Sequence, residues 1–500
     1  MTAPQDRSLP RGARIRLLPG TWQGEGGRAL FGGSPTRMLF LGAAARQLVR
    51  SGSFAVSDTR TGQLGRLLLD RGFAELVADR PTHTPADVTV VVPVKDRAEQ
   101  LRRLLAALPP GVRVVVVDDG SADVPATIAA TREHGARLLC HATSHGPSAA
   151  RNTGLRTVTT PLVAFLDSDV VPRAGWLERL LEQLEDPAVG IVAPRIGSLR
   201  TPGCPPGVGA AVSRYEAVRS SLDLGGRAAL VVPGSRVPYV PSACLVGRTA
   251  AFADGFDEAM QVGEDVDLIW RTVSNGWLVR YVPSALVDHD HRVAPLAWLA
   301  RKAFYGTSAA PLAERHGPAV APVVLGPWTT AAALALLGQH RAAYTASAGV
   351  GLWATRRSAH GLTAAARPWK VAGLLAPYGA AAGLSQCNAV LTRHAWPVAV
   401  AASVVSPRAR RALLVAAVGE GLVDWARARS GLDPLTFLAL RRLDDAAYGT
   451  GLWWGAWKHR TTAPLRPAYG WVRRGAEPRG EGHGLPWPAT WRRGRGTPRR

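Results

Sequence analysis

Cysteine is scarce: four in 500 residues, Cys140, Cys204, Cys244 and Cys387, far apart and with no Cys-x-x-Cys pair. That excludes a disulfide framework and a cysteine zinc site, and it fits a reducing, cytoplasmic setting. The first residues are polar and rich in Arg and Pro, with no apolar run leading to a small-residue cleavage site, so no secretory signal is expected. Acidic residues are outnumbered, 37 against 60 Lys and Arg, giving a formal net charge of +23. An excess of that size points to an anionic partner. Its distribution argues against nucleic acid: eleven Lys/Arg against two Glu lie between Lys458 and Arg500, a net +9 in a Gly/Pro/Trp/Arg stretch without apolar period. No structured basic-aromatic motif accompanies them. Residues 457–500 read as a basic disordered tail, with attachment to anionic lipid as the sharper alternative.

Long apolar runs are also few. Segments 317–338 and 371–392 carry no charged residue and reach the roughly 20 residues that cross a bilayer. Pro318, Pro322 and Pro327 interrupt the first, and Ala and Gly contribute little transfer energy, so buried helices of an Ala-rich α-helical region, residues 296–456, stand beside membrane insertion. Shorter pieces, 395–405 and 412–418, suit helices lying in the membrane interface. Together these features predict a protein on the cytoplasmic face of the cell membrane.

What the chain does have is an alternating α/β pattern. A length of 500 residues implies two to four domains. Residues 1–85 form a segment of their own, closed by a polar, Pro-broken linker at 79–85. Within it, residues 28–41 read as two short strands around Gly32-Gly33-Ser34-Pro35, followed by helical patterns at 43–50 and 63–70. A hairpin with small helices is too little for catalysis and enough for a winged-helix-like binding unit. From residue 88, short β-branched runs at 88–94, 112–117, 136–139, 162–166 and 190–193 alternate with amphipathic stretches such as 98–108 and 174–184. This predicts a parallel sheet covered by helices across residues 86–295. Leu101, Leu104, Leu105 and Leu108 keep the spacing of one buried helix face.

Chemistry gathers at the ends of these strands, where ligands bind in open α/β sheets. The first strand runs into Pro93-Val94-Lys95-Asp96-Arg97, and the second into Asp118-Asp119-Gly120-Ser121. The apolar run 162–166 delivers Asp167-Ser168-Asp169, two carboxylates two residues apart. A leaving diphosphate needs its charge neutralised, and a hard divalent cation on one or two carboxylates does that. Gly263-Glu264-Asp265-Val266-Asp267-Leu268-Ile269-Trp270-Arg271 reads as a helix whose first turn holds acids, one of which can accept a proton from a hydroxyl. Asp288-His289-Asp290-His291-Arg292 follows a strand at 279–282, and either histidine could complete a metal site, His289 being preferred.

These elements in this order, with the helix start His145-Gly146-Pro147-Ser148-Ala149-Ala150-Arg151-Asn152, resemble glycosyltransferase family 2, inverting enzymes of the GT-A fold. The resemblance implies a Rossmann-like nucleotide-sugar domain and a UDP-sugar donor held by the Pro93, Val94 and Asp96 loop, Asp119, Arg151 and Asp167. It also implies a Mg2+ or Mn2+ ion on Asp169 and His289, the latter in an H-x-x-R setting, and Asp265 as catalytic base. No Q-x-x-R-W string follows Asp265, so long-chain polymerisation is not expected. Residues 1–85 are similar to PqqD-type peptide-binding modules. The whole, with Pro238-Tyr239-Val240-Pro241-Ser242-Ala243-Cys244 on the acceptor side, resembles the mycofactocin-system glycosyltransferases. That narrower likeness implies glucose transfer from UDP-glucose onto a peptide-derived small-molecule acceptor, with a carrier peptide at residues 1–85. Two rival expectations stand beside it: transfer to a polyprenyl phosphate or envelope glycan, and a noncatalytic scaffold binding peptide and membrane.

Overall fold

The computed structural model describes residues 2–4, 6–78, 81–199, 207–291, 293–320 and 323–469. Six short strands and two helices make the N-terminal unit: β1 (Arg14–Leu17), β2 (Trp22–Gly24), β3 (Ala29–Gly32), β4 (Arg37–Phe40), α1 (Ala43–Val49), β5 (Ser53–Ala55), α2 (Thr59–Asp70) and β6 (Ala74–Val77). The expected hairpin is β3–β4, with Gly32 opposite Arg37. Helix α2 starts four residues earlier than its apolar pattern, because the Asp58 carboxylate accepts the Thr61 N–H and the Thr61 hydroxyl answers the Asp58 backbone. Two small sheets, ordered β5-β1-β6 and β2-β3-β4, close around Ile15, Leu30, Leu68, Phe73 and Leu76.

The central sheet is built from β7 (Val88–Val94), β8 (Arg113–Asp118), β9 (Arg137–Cys140), β10 (Leu162–Leu166), β11 (Val170–Pro172), β12 (Val189–Ser198), β13 (Ala229–Leu230), β14 (Cys244–Arg248) and β15 (Leu278–His289). Its strands alternate between two cores, as a sheet covered on both faces requires. In β7, Val88, Val90 and Val92 point to one side and Val91 to the other; in β10, Leu162, Ala164 and Leu166 oppose Val163 and Phe165. The covering helices are α3 (Ala98–Ala106), α4 (Val124–Glu133), α5 (Pro147–Leu155), α6 (Trp176–Gln183), α7 (Val208–Arg219) and α8 (Glu264–Ser274). Leu101, Leu104 and Leu105 are buried as their spacing demands.

The sheet corrects one expectation. Its order is β11-β15-β12-β14-β10-β7-β8-β9, with β13 on β15, and it is mixed rather than parallel. Strands β10, β7, β8 and β9 run together, but β14 runs against both β10 and β12. Antiparallel pairing sets Cys244 opposite Leu166, so β14 begins where β10 ends. The segment leading into β14 is thereby carried across the carboxylate-bearing strand ends.

The segment at 79–85 is not a free tether. Asp79 and Arg80 lie outside the described residues, but the Thr82 backbone and hydroxyl both donate to Glu185, at 2.7 and 2.8 Å. The N-terminal unit is fastened to the sheet domain by buried polar groups. Arg66 pairs with Asp186 at 2.7 Å, Arg280 donates to the Ala74 carbonyl at 3.1 Å, and Gln183 donates to the Leu76 carbonyl at 3.0 Å.

Beyond the sheet come α9 (Pro295–Thr307), α10 (Ala309–His316) and further helices ending in Pro434–Lys458. Among its described residues, segment 317–338 has a short 3-10 turn at Gly317–Val320, the strand Val324–Leu325 and a ten-residue helix, Pro327–Leu336, which Pro327 opens at its first position. Among the described residues no helix is long and apolar enough to cross a membrane. The first part of the expected disordered tail is ordered: helix Pro434–Lys458 runs into it, and Ala468–Tyr469 pairs with Val324–Leu325. Residues 470–500 lie outside the described residues. Helix α9 and Pro434–Lys458 touch backbone to backbone. A Cβ on Gly306 would collide with the Tyr448 carbonyl, and one on Gly451 with the Ala303 carbonyl. Beside them Lys302 pairs with Glu216 at 2.8 Å, which also accepts from the Trp298 indole.

Candidate active site

Strand β7 ends at Val94, half-buried Pro93 preceding it, and the loop beyond is held by its neighbour strand. The Ser121 hydroxyl accepts from the Asp96 N–H, and Asp96 accepts from the Ala122 N–H at 2.7 Å. Asp119 is nearly buried, and its two oxygens accept from the His141 ring, the Ser144 hydroxyl and the His145 and Gly146 N–H groups at 2.7–2.9 Å. Burial opposes its charge, but those four donors hold its carboxyl below the usual range. Asp119 therefore fixes the turn that opens α5.

Helix α5 places Arg151 in the interior, 3% exposed. Its guanidinium reaches Asp167 at 2.6 Å and Glu264 at 3.2 Å and lies over the Phe256 ring. One buried cation thus ties the end of β10 to the start of α8. Gly263 makes the entry to α8 possible: its φ of +81° is left-handed, and a Cβ there would press on Ser308 and Leu312.

Three carboxylates in the first turn of α8 have separate fates. Glu264 is held by Arg151. Asp267 is buried, accepting from His316 at 2.9 Å and Arg271 at 2.7 Å; these partners overcome its burial and keep its carboxyl low. Among the described residues Asp265 accepts from backbone alone, the N–H of Val266 at 2.8 Å and of Ser242 at 3.3 Å. Burial, reinforced by the Glu264 charge, raises it to about 7. The 238–244 segment lies against both ends of the site. The Trp270 indole holds the Pro238 carbonyl, Ser242 touches Asp265, and the Asp167 N–H donates to the Ala243 carbonyl at 3.1 Å.

Asp169 and His289 meet because β11 pairs antiparallel with β15, Val170 opposite His289. His289 Nε2 lies 3.6 Å from Asp169 Oδ1. His291 lies beside His289 with its ring tilted by 50°, Nδ1 to Nδ1 at 3.3 Å, while Asp288 and Asp290 are spent on Arg173 and Arg103. Arg292 lies outside the described residues, so its place in an H-x-x-R arrangement is not described.

Residues 89–202 match Glycosyl transferase family 2. The pre-mycofactocin glycosyltransferase of Mycobacterium tuberculosis is 47% identical to this chain over 466 residues, which take in 91% of this chain and 96% of that protein. The chain is a family 2 glycosyltransferase. Another relative, succinoglycan biosynthesis protein ExoU of Rhizobium meliloti, is 27% identical over 205 residues, 38% of this chain and 58% of that one. A solved structure, mannosyltransferase PcManGT from Pyrobaculum calidifontis in complex with GDP-Man and Mn2+, overlays at a TM-score of 0.40 and 20% identity, covering 73% of this chain and 89% of that one. That overlay is too loose to bear on the chemistry here.

A family 2 glycosyltransferase of GT-A-like fold has a mixed sheet of this kind, works on a nucleotide-sugar donor and typically uses a divalent cation. The residues present fit such an ion in one way. Among the described residues no group of three His, Cys, Asp or Glu is arranged to hold a metal alone. Asp169 and His289 supply one carboxylate and one imidazole, and the buried His291 Nε2 behind them has no hydrogen-bond partner. Two protein ligands completed by the donor's diphosphate is the habit of Mg2+ and similar ions.

Sequence reasoning gave no separate role to Arg97 or Tyr239, although both lie in strings it singled out, and it missed Tyr305 and Tyr448. Arg97 forms an ion pair with Asp169, bringing the first strand-end loop onto the third. Tyr305 of α9 and Tyr239 lie within reach of the Asp265 charge, and burial raises both phenols. Tyr448, from the last helix, carries Arg393 over its ring at 3.9 Å and stands near Tyr239. For Tyr305 and Tyr448 the signal was aromatic residues scattered in an Ala-rich background, with nothing local to join them.

Proposed function

We propose that this enzyme transfers a sugar, glucose from UDP-glucose, with inversion to a hydroxyl of pre-mycofactocin, building a short β-linked oligosaccharide. The observation that carries this reading is Asp265: a carboxylate with no cationic partner among the described ion pairs, raised to about 7, and backed by the 238–244 segment. Such a group is ionised often enough at neutral pH to take a proton from an attacking hydroxyl, and basic enough to do so usefully. The relative named above supplies the acceptor.

In this scheme the Pro93, Val94 and Asp96 loop, Asp119, Arg151 and Asp167 form the donor side, and Asp169 with His289 would hold a Mg2+ or Mn2+ ion. Bound there, the ion would neutralise charge on the departing diphosphate. Arg151 keeps Asp167 in place and draws Glu264 away from the acceptor. Asp265 deprotonates the acceptor hydroxyl as it attacks the anomeric carbon from the face opposite the leaving group, and an α-linked donor yields a β-glycoside. Tyr239, Tyr305 and Tyr448 give the acceptor side an aromatic wall.

Residues 1–85 are the carrier-peptide module in this reading, winged-helix-like and similar to the PqqD type. Its support is the sheet order β5-β1-β6, which leaves β5 as an edge where an extended peptide can add a strand. Residues 86–295 form the transferase domain and 296–456 an Ala-rich helical region that completes the acceptor side.

The deciding experiment incubates purified protein with a panel of labelled UDP-sugars and a cell extract, and identifies the product by mass spectrometry. Label from UDP-glucose in a small polar, peptide-derived molecule is expected. Label in the lipid extract would replace this acceptor with a polyprenyl phosphate.

A further inference from the structure

The helix that runs from Pro407 to Ala428 is turned inside out. It comprises Pro407–Leu414, a wider turn Val415–Gly419 and Glu420–Ala428. Leu414, Val415, Val418 and Leu422 fall on one side at helical spacing. An ordinary surface helix would bury that stripe. Here Leu414 is 57% exposed and Val415 72%, with Val418 and Leu422 exposed beside them. The charged side faces the protein instead: Glu420 pairs with Arg441 at 2.9 Å, and Asp424 pairs with Arg441 at 3.2 Å. The preceding helix, Trp396–Val405, ends at the same corner with Val404 and Val405 exposed by 74% and 82%. Arg408, Arg410 and Arg411 are exposed on the first turns of the inside-out helix.

Charge identifies what covers this corner. Between Glu314 and Glu420 the sequence has ten Lys and Arg and no Asp or Glu. A second copy of the chain would bring like charge against like charge. Leu352 and Tyr378, on two other helices of the same basic stretch, are also largely exposed. On the first of these, Arg357 lies over the ring of half-exposed Trp353, the pairing of aromatic body and cation that suits headgroup level. No described helix crosses a membrane, so the contact is with a surface.

We propose that the corner formed by residues 396–428 lies in the interface of an anionic lipid bilayer, with Val404, Val405, Leu414, Val415 and Val418 below the headgroups and Arg408, Arg410 and Arg411 among them. Apolar burial and lipid charge act together in such binding.

The test is co-sedimentation of the full chain with phosphatidylcholine vesicles, with and without phosphatidylglycerol. Binding is expected only with the anionic lipid, and weaker as salt rises. The triple variant Arg408→Gln/Arg410→Gln/Arg411→Gln should bind about a hundredfold less tightly, at the usual worth of an interfacial arginine. A second variant, Val415→Ser/Val418→Ser, should also lose binding. Unchanged UDP affinity in both variants reports that they are folded. Three results would each overturn the proposal: wild-type protein left in the supernatant with anionic vesicles, undiminished binding by both variants, which would move the contact to the basic residues beyond 458, or a wild-type dimer in light scattering that the valine variant dissociates.

Discussion

Glu264 and Asp265 are neighbours in sequence with different partners: Arg151 holds Glu264 at 3.2 Å, whereas among the described residues Asp265 accepts only from the N–H groups of Val266 and Ser242. One helical turn thus offers two acids, and a single buried guanidinium decides which remains available.

Asp265→Asn is nearly isosteric, and its single side-chain oxygen keeps the 2.8 Å contact with the Val266 N–H while giving up the longer one to Ser242. Transfer is expected to fall roughly 10²–10⁴-fold, the usual loss for a positioned general base, while UDP binding by calorimetry stays within a few-fold of wild type. Near-normal transfer by this variant, with loss in Glu264→Gln, would move the base to Glu264.

The pH profile offers an independent check. The active form of Asp265 is ionised, and burial followed by the Glu264 charge raises it to about 7, so transfer should climb as pH rises through that region. Glu264→Gln removes the repulsion and frees Arg151, and both effects favour the ionised form. Its acidic limb should move to lower pH in a kcat/KM profile; an unmoved or higher limb would separate Glu264 from the base.

Asp169→Ala should abolish the metal dependence of UDP binding, since it removes the carboxylate the ion would use. Arg97→Gln should act in the opposite sense, because Arg97 competes for that carboxylate. Calorimetric titration of UDP with and without Mn2+ distinguishes the two, and equal UDP affinities under both conditions in wild type would remove the metal role.

The sequence makes the acidic strand ends and the start of α8 readable because each is a local string at the end of a local pattern. What it hides is pairing at a distance. Strands β1, β5 and β6 have three or four residues each, too short for a period, and gain their identity from partners such as Ile15 opposite Phe54 and Leu76. Strand β14 is Cys-Leu-Val-Gly-Arg, apolar on both sides, and its reversed direction depends on the sheet around it. Asp267 looks as eligible a base as Asp265 until His316, far along the chain, is seen to occupy it. Segment 317–338 reads as a span because hydropathy registers composition, whereas Pro327 acts through the backbone, fixing where its helix begins.

Arg66 and Asp186 join the N-terminal unit to the sheet domain, and the Asp186 side chain is 1% exposed. Arg66→Ala leaves that carboxylate buried without its main counter-ion, which costs about 3–5 kcal/mol. A marked fall in Tm is expected, partly restored by Arg66→Ala/Asp186→Ala. Burial opposes the charge on Asp186, but Arg66 foremost holds its carboxyl low, so this contribution is complete above the ordinary aspartate range and is lost as pH falls through the lowered value. Deleting the N-terminal unit should destabilise the transferase domain for the same reason, and thermal melts of the truncated protein measure it.

The contact of Gly306 and Gly451 between α9 and Pro434–Lys458 has a mechanical consequence. Layers of side chains absorb small shifts by changing rotamer, but two backbones in direct contact have no such cushion. The helices therefore move as one lever, and α9 begins six residues after His289. A tilt imposed on Pro434–Lys458 is therefore shared by α9 rather than dissipated between the two.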